Sequence, residues 1–134
     1  MIWTAIALAA AVCEACGAYD VVKTEQGLKK GVAVEAFTFL VGPKPSAVAL
    51  YLRDQILLAG CAAPAIILAL MHNTPLAYGA CVGLLAYGLK HIQGGLKWAF
   101  LIKGGKLDWD GFPIPADGKA VSHSAWAKFI GPWC

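Results

Sequence analysis

Charge is scarce in this chain of 134 residues. Asp, Glu, Lys and Arg make up only 14% of it, about half the usual share, while 59% of residues are apolar or aromatic. Arginine occurs once, at Arg53, and between Arg53 and Lys90 the only other charged residue is Asp54. With a net charge of +3 and no basic face interleaved with aromatics, nucleic acid is excluded as an expected partner. Catalytic signatures are missing as well: there is no G-x-S-x-G, no H-E-x-x-H and no P-loop. The three histidines, His72, His91 and His123, fall in a turn, a hydrophobic run and the tail, and Ser122 beside His123 is no triad. An enzyme is therefore the minority expectation, and neither a cofactor nor a metal ion is expected. No Lys or Arg precedes "MIWTAIALAAAV" and no small-residue cleavage site follows it, so an uncleaved anchor is expected there. There is no internal repeat, and the length suits one unit.

What the chain does have is three long hydrophobic runs. The first covers about residues 2–22, close to the 20 needed to cross a hydrocarbon core about 30 Å thick. It gives way to "KTEQGLKKG", read as a lysine-flanked turn through Gly27. The next stretch, 31–42, is apolar but too short to cross at about 1.5 Å per residue, and reads as an interfacial or re-entrant helix stopped by "GPKP". A second span is expected over 46–71, with Ser46 as N-cap and a kink at Pro64. After a tight "HNTP" turn, a third covers about 76–102, long enough to imply tilt. The remainder, 104–134, is rich in Gly, Pro and Trp. Turns are expected at "DGFPIP" and "ADGK", and Trp109, Trp126 and Trp133 suit either a tail lying on the headgroups or a flexible one.

The expected fold is thus an all-α integral membrane protein: a helical transmembrane domain over 1–103 with three transmembrane helices and the short helix, then an irregular cytoplasmic or interfacial tail. Lysine placement orients it. Lys23, Lys29, Lys30 and Lys44 lie in the first loop, none in the 72–75 turn, and Lys103, Lys106, Lys119 and Lys128 in the tail. A multi-pass protein of the cell membrane with its N-terminus outside and C-terminus cytoplasmic satisfies all three segments.

Against this background the polar residues inside the runs stand out. Cys13, Cys16, Asp20 and Thr24 share one helical stripe with Gly17, whereas Glu14 points about 100° away and lies deeper. An ionised group at mid-bilayer costs several kcal/mol, so Glu14 requires a proton or a partner, and the sequence nominates none. Asp20 has a matching counter-charge in Arg53, at similar depth near the cytoplasmic face. Asp54, Lys90 and His91 complete a candidate polar cluster of Glu14, Asp20, Thr24, Arg53, Asp54, Lys90 and His91. A network that docks three helices is the first reading of it, and a proton or cation site the second. Cys13-x-x-Cys16 is read first as packing and second as a soft-metal or redox pair, since five cysteines do not suit a closed disulfide framework. Gly79-x-x-x-Gly83 offers a face on which another helix could pack closely.

With Asp20-x-x-x-Thr24, Gly31-x-x-x-Glu35 and the basic Arg53 in place, residues 10–60 resemble an uncharacterised family of small bacterial membrane proteins. Its first helix ends in Asp-x-x-x-Thr, followed by a Gly-x-x-Glu-x-Asn-Pro loop and a helix with a basic residue near its start. The spacing here is one residue longer, and Phe37 and Thr38 stand in place of Asn-Pro. The resemblance implies the helical architecture and makes Asp20, Thr24, Glu35 and Arg53 the matching positions. The leading functional expectation is a non-enzymatic subunit or scaffold of a membrane assembly, with protein partners or copies of itself. Alternatives are a pore or ion carrier, including a phage holin-like protein, and a thiol-dependent metal carrier or redox partner.

Overall fold

The computed structural model of the chain describes residues 1–33, 41–42, 44–108 and 111–114. The expected helix at 31–42, with Glu35, Phe37 and Thr38, lies largely outside them. So do Trp109 and the tail beyond 114, with Lys119, Ser122, His123, Trp126, Lys128 and Trp133. The described chain forms three helices, α1 (Ile2–Lys30), α2 (Ala47–Leu70) and α3 (Thr74–Ile102), and no strand.

Helix α1 does not stop where its apolar run does. It continues past Val22 to Lys30 because "KTEQGLKK" consists largely of straight-chain residues that lose little rotamer freedom in a helix. Lys29 pairs with Glu25 at 2.7 Å one turn back, and Lys29 and Lys30 face the negative end of the helix dipole. Gly27, expected in a turn, is instead buried within the helix, where a Cβ would run into the Trp98 ring. The stop is Gly31, whose φ of 66° is the left-handed conformation glycine adopts without strain. Its N–H and that of Val32 close on the carbonyls of Leu28 and Gly27.

At the start of α2 the Ser46 hydroxyl accepts the Ala49 N–H at 3.2 Å, as an N-cap should. Pro64 lies inside α2 and brings no N–H, so the Gly60 carbonyl loses its helical donor. The connection to α3 is as tight as "HNTP" suggests: His72 takes φ 57°, Asn73 caps the Leu76 N–H, and Pro75 occupies the first turn.

Contacts between the start of α1 and the end of α2, and the tight 72–75 turn into α3, show that α2 runs antiparallel to both neighbours. That leaves α1 and α3 parallel, and theirs is the most extensive interface of the bundle. Glycines make this contact possible. A Cβ on Gly88 would lie 2.9 Å from Cys13 Sγ and 3.3 Å from Cys13 Cα, and one on Gly95 would lie 2.5 Å from the Tyr19 ring. The apolar core is built from small side chains, with Ala9 and Cys13 on α1, Ala62, Ala65 and Ala69 on α2, and Ala77, Cys81 and Leu84 on α3. It fills the half of the bundle nearer the 72–75 turn.

Helices α1 and α2 are each long and apolar enough to cross a membrane. Helix α3 has the length, 29 residues, but falls short of the same apolar character because Lys90, His91, Gln93 and Lys97 interrupt its second half. After α3, residues 106–108 and 111–114 hydrogen-bond to one another. The Asp108 N–H donates to the Phe112 carbonyl at 2.7 Å, the Ile114 N–H to that of Lys106 at 2.8 Å, and Phe112 is buried. The turn expected at "DGFPIP" lies partly outside the described residues, and that at "ADGK" entirely so.

Candidate functional site

The helical stripe on α1 is real and faces inward: Cys13, Cys16, Gly17 and Thr24 are buried, with Asp20 partly so. Parallel packing brings Asp20 level with His91 on α3. The Asp20 Oδ2 atom and His91 Nδ1 are 2.9 Å apart, within hydrogen-bond reach. His91 is 9% exposed and held from behind by Tyr87, one turn earlier, in an edge-to-face ring contact.

This corrects the pairing expected from depth. Asp20 is partnered by His91, and the Arg53 guanidinium instead turns to its sequence neighbour, with Nε 3.0 Å from Asp54 Oδ1. The reason lies in the interfaces: α1 and α3 approach through glycines, so a short aspartate reaches an imidazole there. Arg53 and Asp54 are 6% and 5% exposed and sit together on the inner side of α2. The cluster remains a joint one, because His91 Nδ1 is also 3.9 Å from Asp54 Oδ2. Asp20, Arg53, Asp54, Tyr87, Lys90 and His91 line one open cleft of about 270 Å³ on the lysine-rich side. Lys90 lies at its edge and donates to Gln93 Oε1 at 3.0 Å.

Glu14 has partners that sequence reasoning missed. Tyr51 Oη donates to its Oε1 at 2.9 Å and Gln55 Nε2 to its Oε2 at 2.6 Å. Both come from α2, one turn apart on one face, and that i, i+4 spacing of two donors is the signal that could have found them. Between this trio and the Asp20 cluster is a cavity of about 10 Å³, more closed than the cleft, with Glu14, Gln55, Asp54, Tyr87 and His91 in its wall.

The thiols lie in the interior of the bundle. Cys13 and Cys16 are buried and unbridged, and the Cys13 thiol donates to the Leu84 carbonyl at 2.8 Å against Gly88. No set of three His, Cys, Asp or Glu side chains arranged to hold a metal ion occurs among the described residues. Cys13→Ala is expected to cost about 1 kcal/mol, the worth of one hydrogen bond, and to leave titration of the purified protein with soft metal ions unchanged. Gly79 and Gly83 take no part in packing among the described residues. A Cβ at either position meets no neighbouring atom within 4 Å.

Compared with known proteins, the chain matches no family model, no curated protein and no solved structure.

Proposed function

We propose that the chain is a three-crossing protein of the cell membrane, N-terminus outside and C-terminus cytoplasmic, that serves as a non-enzymatic subunit or scaffold of a membrane assembly. The observation that carries this reading is that its interior acids are engaged by side chains of the same chain. Glu14 is held by Tyr51 and Gln55, Asp20 by His91, and Asp54 by Arg53. The first two engagements tie α1 to α2 and to α3, while Arg53 and Asp54 pair within α2. The outer faces carry Leu8, Ile56, Leu70, Val82 and Leu89, all exposed and suited to lipid. The polar second half of α3 is tolerated because His91 and Gln93 turn inward.

Gly79 and Gly83, open on the outside, are where a partner helix would approach closely. Gly79→Leu and Gly83→Leu are each expected to change the stability of the isolated bundle by less than about 0.5 kcal/mol. Both are expected to abolish the larger species seen when the unmodified chain is cross-linked in its own membrane. A chain that cross-links only to itself as a monomer, or whose purified form carries ions across liposomes, overturns the subunit reading.

The cleft of about 270 Å³ beside Asp20 and Asp54 favours a second reading, an ion-translocating or holin-like pore. Abrupt cell death at a fixed time after induction would select it.

A further inference from the structure

Three buried side-chain oxygens have no hydrogen-bond partner within the described chain: Asp20 Oδ1, Asp54 Oδ2 and Tyr87 Oη. They are not scattered. All three residues line the open cleft, and Asp54 and Tyr87, together with His91, also form part of the wall of the smaller cavity beside Glu14. Asp54 matters most, since it is 95% buried by its 5% exposure and still presents a carboxylate oxygen that no protein donor reaches. Leaving such an oxygen unpaired forfeits its hydration with nothing in return, most of all for a charged group, so the fold requires a donor at this place. Arg53 is committed to the other oxygen of the same carboxylate, and His91 Nδ1 is 3.9 Å away, beyond hydrogen-bond range. The cavity volume of about 10 Å³ is that of a single water site, and its wall includes the polar residues Glu14, Asp54, Gln55, Tyr87 and His91.

We infer that the bundle contains a water-binding half-channel, which enters through the cleft beside Lys90 on the lysine-rich side, passes Asp20, Asp54 and Tyr87, and ends at a single water beside Glu14. Its ligand is water and the proton that water exchanges. The other half of the bundle is closed to it, because Ala65 and Ala77 are fully buried and Leu84 is 1% exposed in a core without polar side chains. Glu14 therefore communicates with one aqueous phase only. This goes beyond the proposed function and does not depend on it: a subunit and a pore could both carry such a channel, and its test reads hydration, not assembly or flux.

Single cysteines in a chain with the five native cysteines replaced by alanine, reconstituted in liposomes, provide the test. A polar, membrane-impermeant methanethiosulfonate reagent reacts with a thiolate, which forms only where water reaches. Leu57→Cys in the cleft and Leu58→Cys at the smaller cavity are expected to react at least about tenfold and severalfold faster, respectively, than Ile56→Cys, which faces lipid on the same helix; Ala65→Cys should stay unreactive. Equal rates at Leu57→Cys and Ile56→Cys overturn the hydrated cleft, and rapid reaction of Ala65→Cys overturns the closed end. A second measurement needs no substitution. In water-edited solid-state NMR of the unmodified chain, magnetisation from water should reach the Tyr87 and Gln55 side chains well before Leu84, and equal build-up at all three would refute the half-channel.

Discussion

Gly88→Leu is expected to separate α1 from α3. A Cβ at this position would lie 2.9 Å from the Cys13 sulfur, which could move, but also 3.3 Å from Cys13 Cα, which is backbone and moves only with the helix. The rest of a leucine side chain has nowhere to go, since Cys13 is 2% exposed and Leu84, a turn away, is 1% exposed. Overpacking in a close-packed interior costs typically about 1–3 kcal/mol, and a four-carbon insertion at a backbone contact lies at or beyond the upper end. Separation also breaks the Cys13 bond to the Leu84 carbonyl and pulls Asp20 from His91. Reversible unfolding in bicelles should show a loss of about 3 kcal/mol or more, against the small change expected for Gly83→Leu one turn away. Equal effects at the two glycines would mean that α1 does not pack on this face of α3.

Comparison of these glycines shows what could be read from the sequence. The Gly79-x-x-x-Gly83 spacing is conspicuous as a pattern, yet it is the less regular set of Gly27, Gly88, Gly94 and Gly95 that lets α1 approach α3. Spacing says where a helix could come close. It does not say which partner, because the azimuth of each helix is fixed by all of its neighbours at once. The stripe of Cys13, Cys16 and Thr24 was legible because period 3.6 is a local property, and the N-cap at Ser46 because capping needs only three residues. The end of α1 was not, since hydropathy marks where an apolar run stops and a helix of Lys, Glu and Gln continues regardless.

The polar cluster divides in the same way. Its expected membership was read from polar residues in apolar runs: Asp20, Arg53, Asp54, Lys90 and His91 line one cleft, whereas Glu14 and Thr24 do not line it. Its pairing was not, because matching depth along two helices ignores rotation: Asp20 and Arg53 share a level, but His91 is across the closest interface. Tyr51 and Gln55 were overlooked as partners of Glu14 because neither carries a charge, and a neutral donor leaves no mark on a search for counter-ions.

The pairing of Arg53 with Asp54 leads to the other large expected effect. Two adjacent charges, 6% and 5% exposed, have been taken out of water together, so each depends on the other. Arg53→Met removes the guanidinium, fills much of its volume and leaves the Asp54 carboxylate facing only His91, at 3.9 Å. Breaking a buried pair from one side costs about 3–5 kcal/mol, and that loss is expected in the unfolding equilibrium of the single variant. Replacing both partners removes the uncompensated charge, so Arg53→Met combined with Asp54→Leu should recover most of it, because burying apolar groups in place of an ion pair is close to neutral. The recovery is the informative quantity. A double variant as unstable as the sum of the two single ones would show that Arg53 and Asp54 act independently, each through a different neighbour. A double variant near the stability of the parent would show that the pair is not what holds the bundle together.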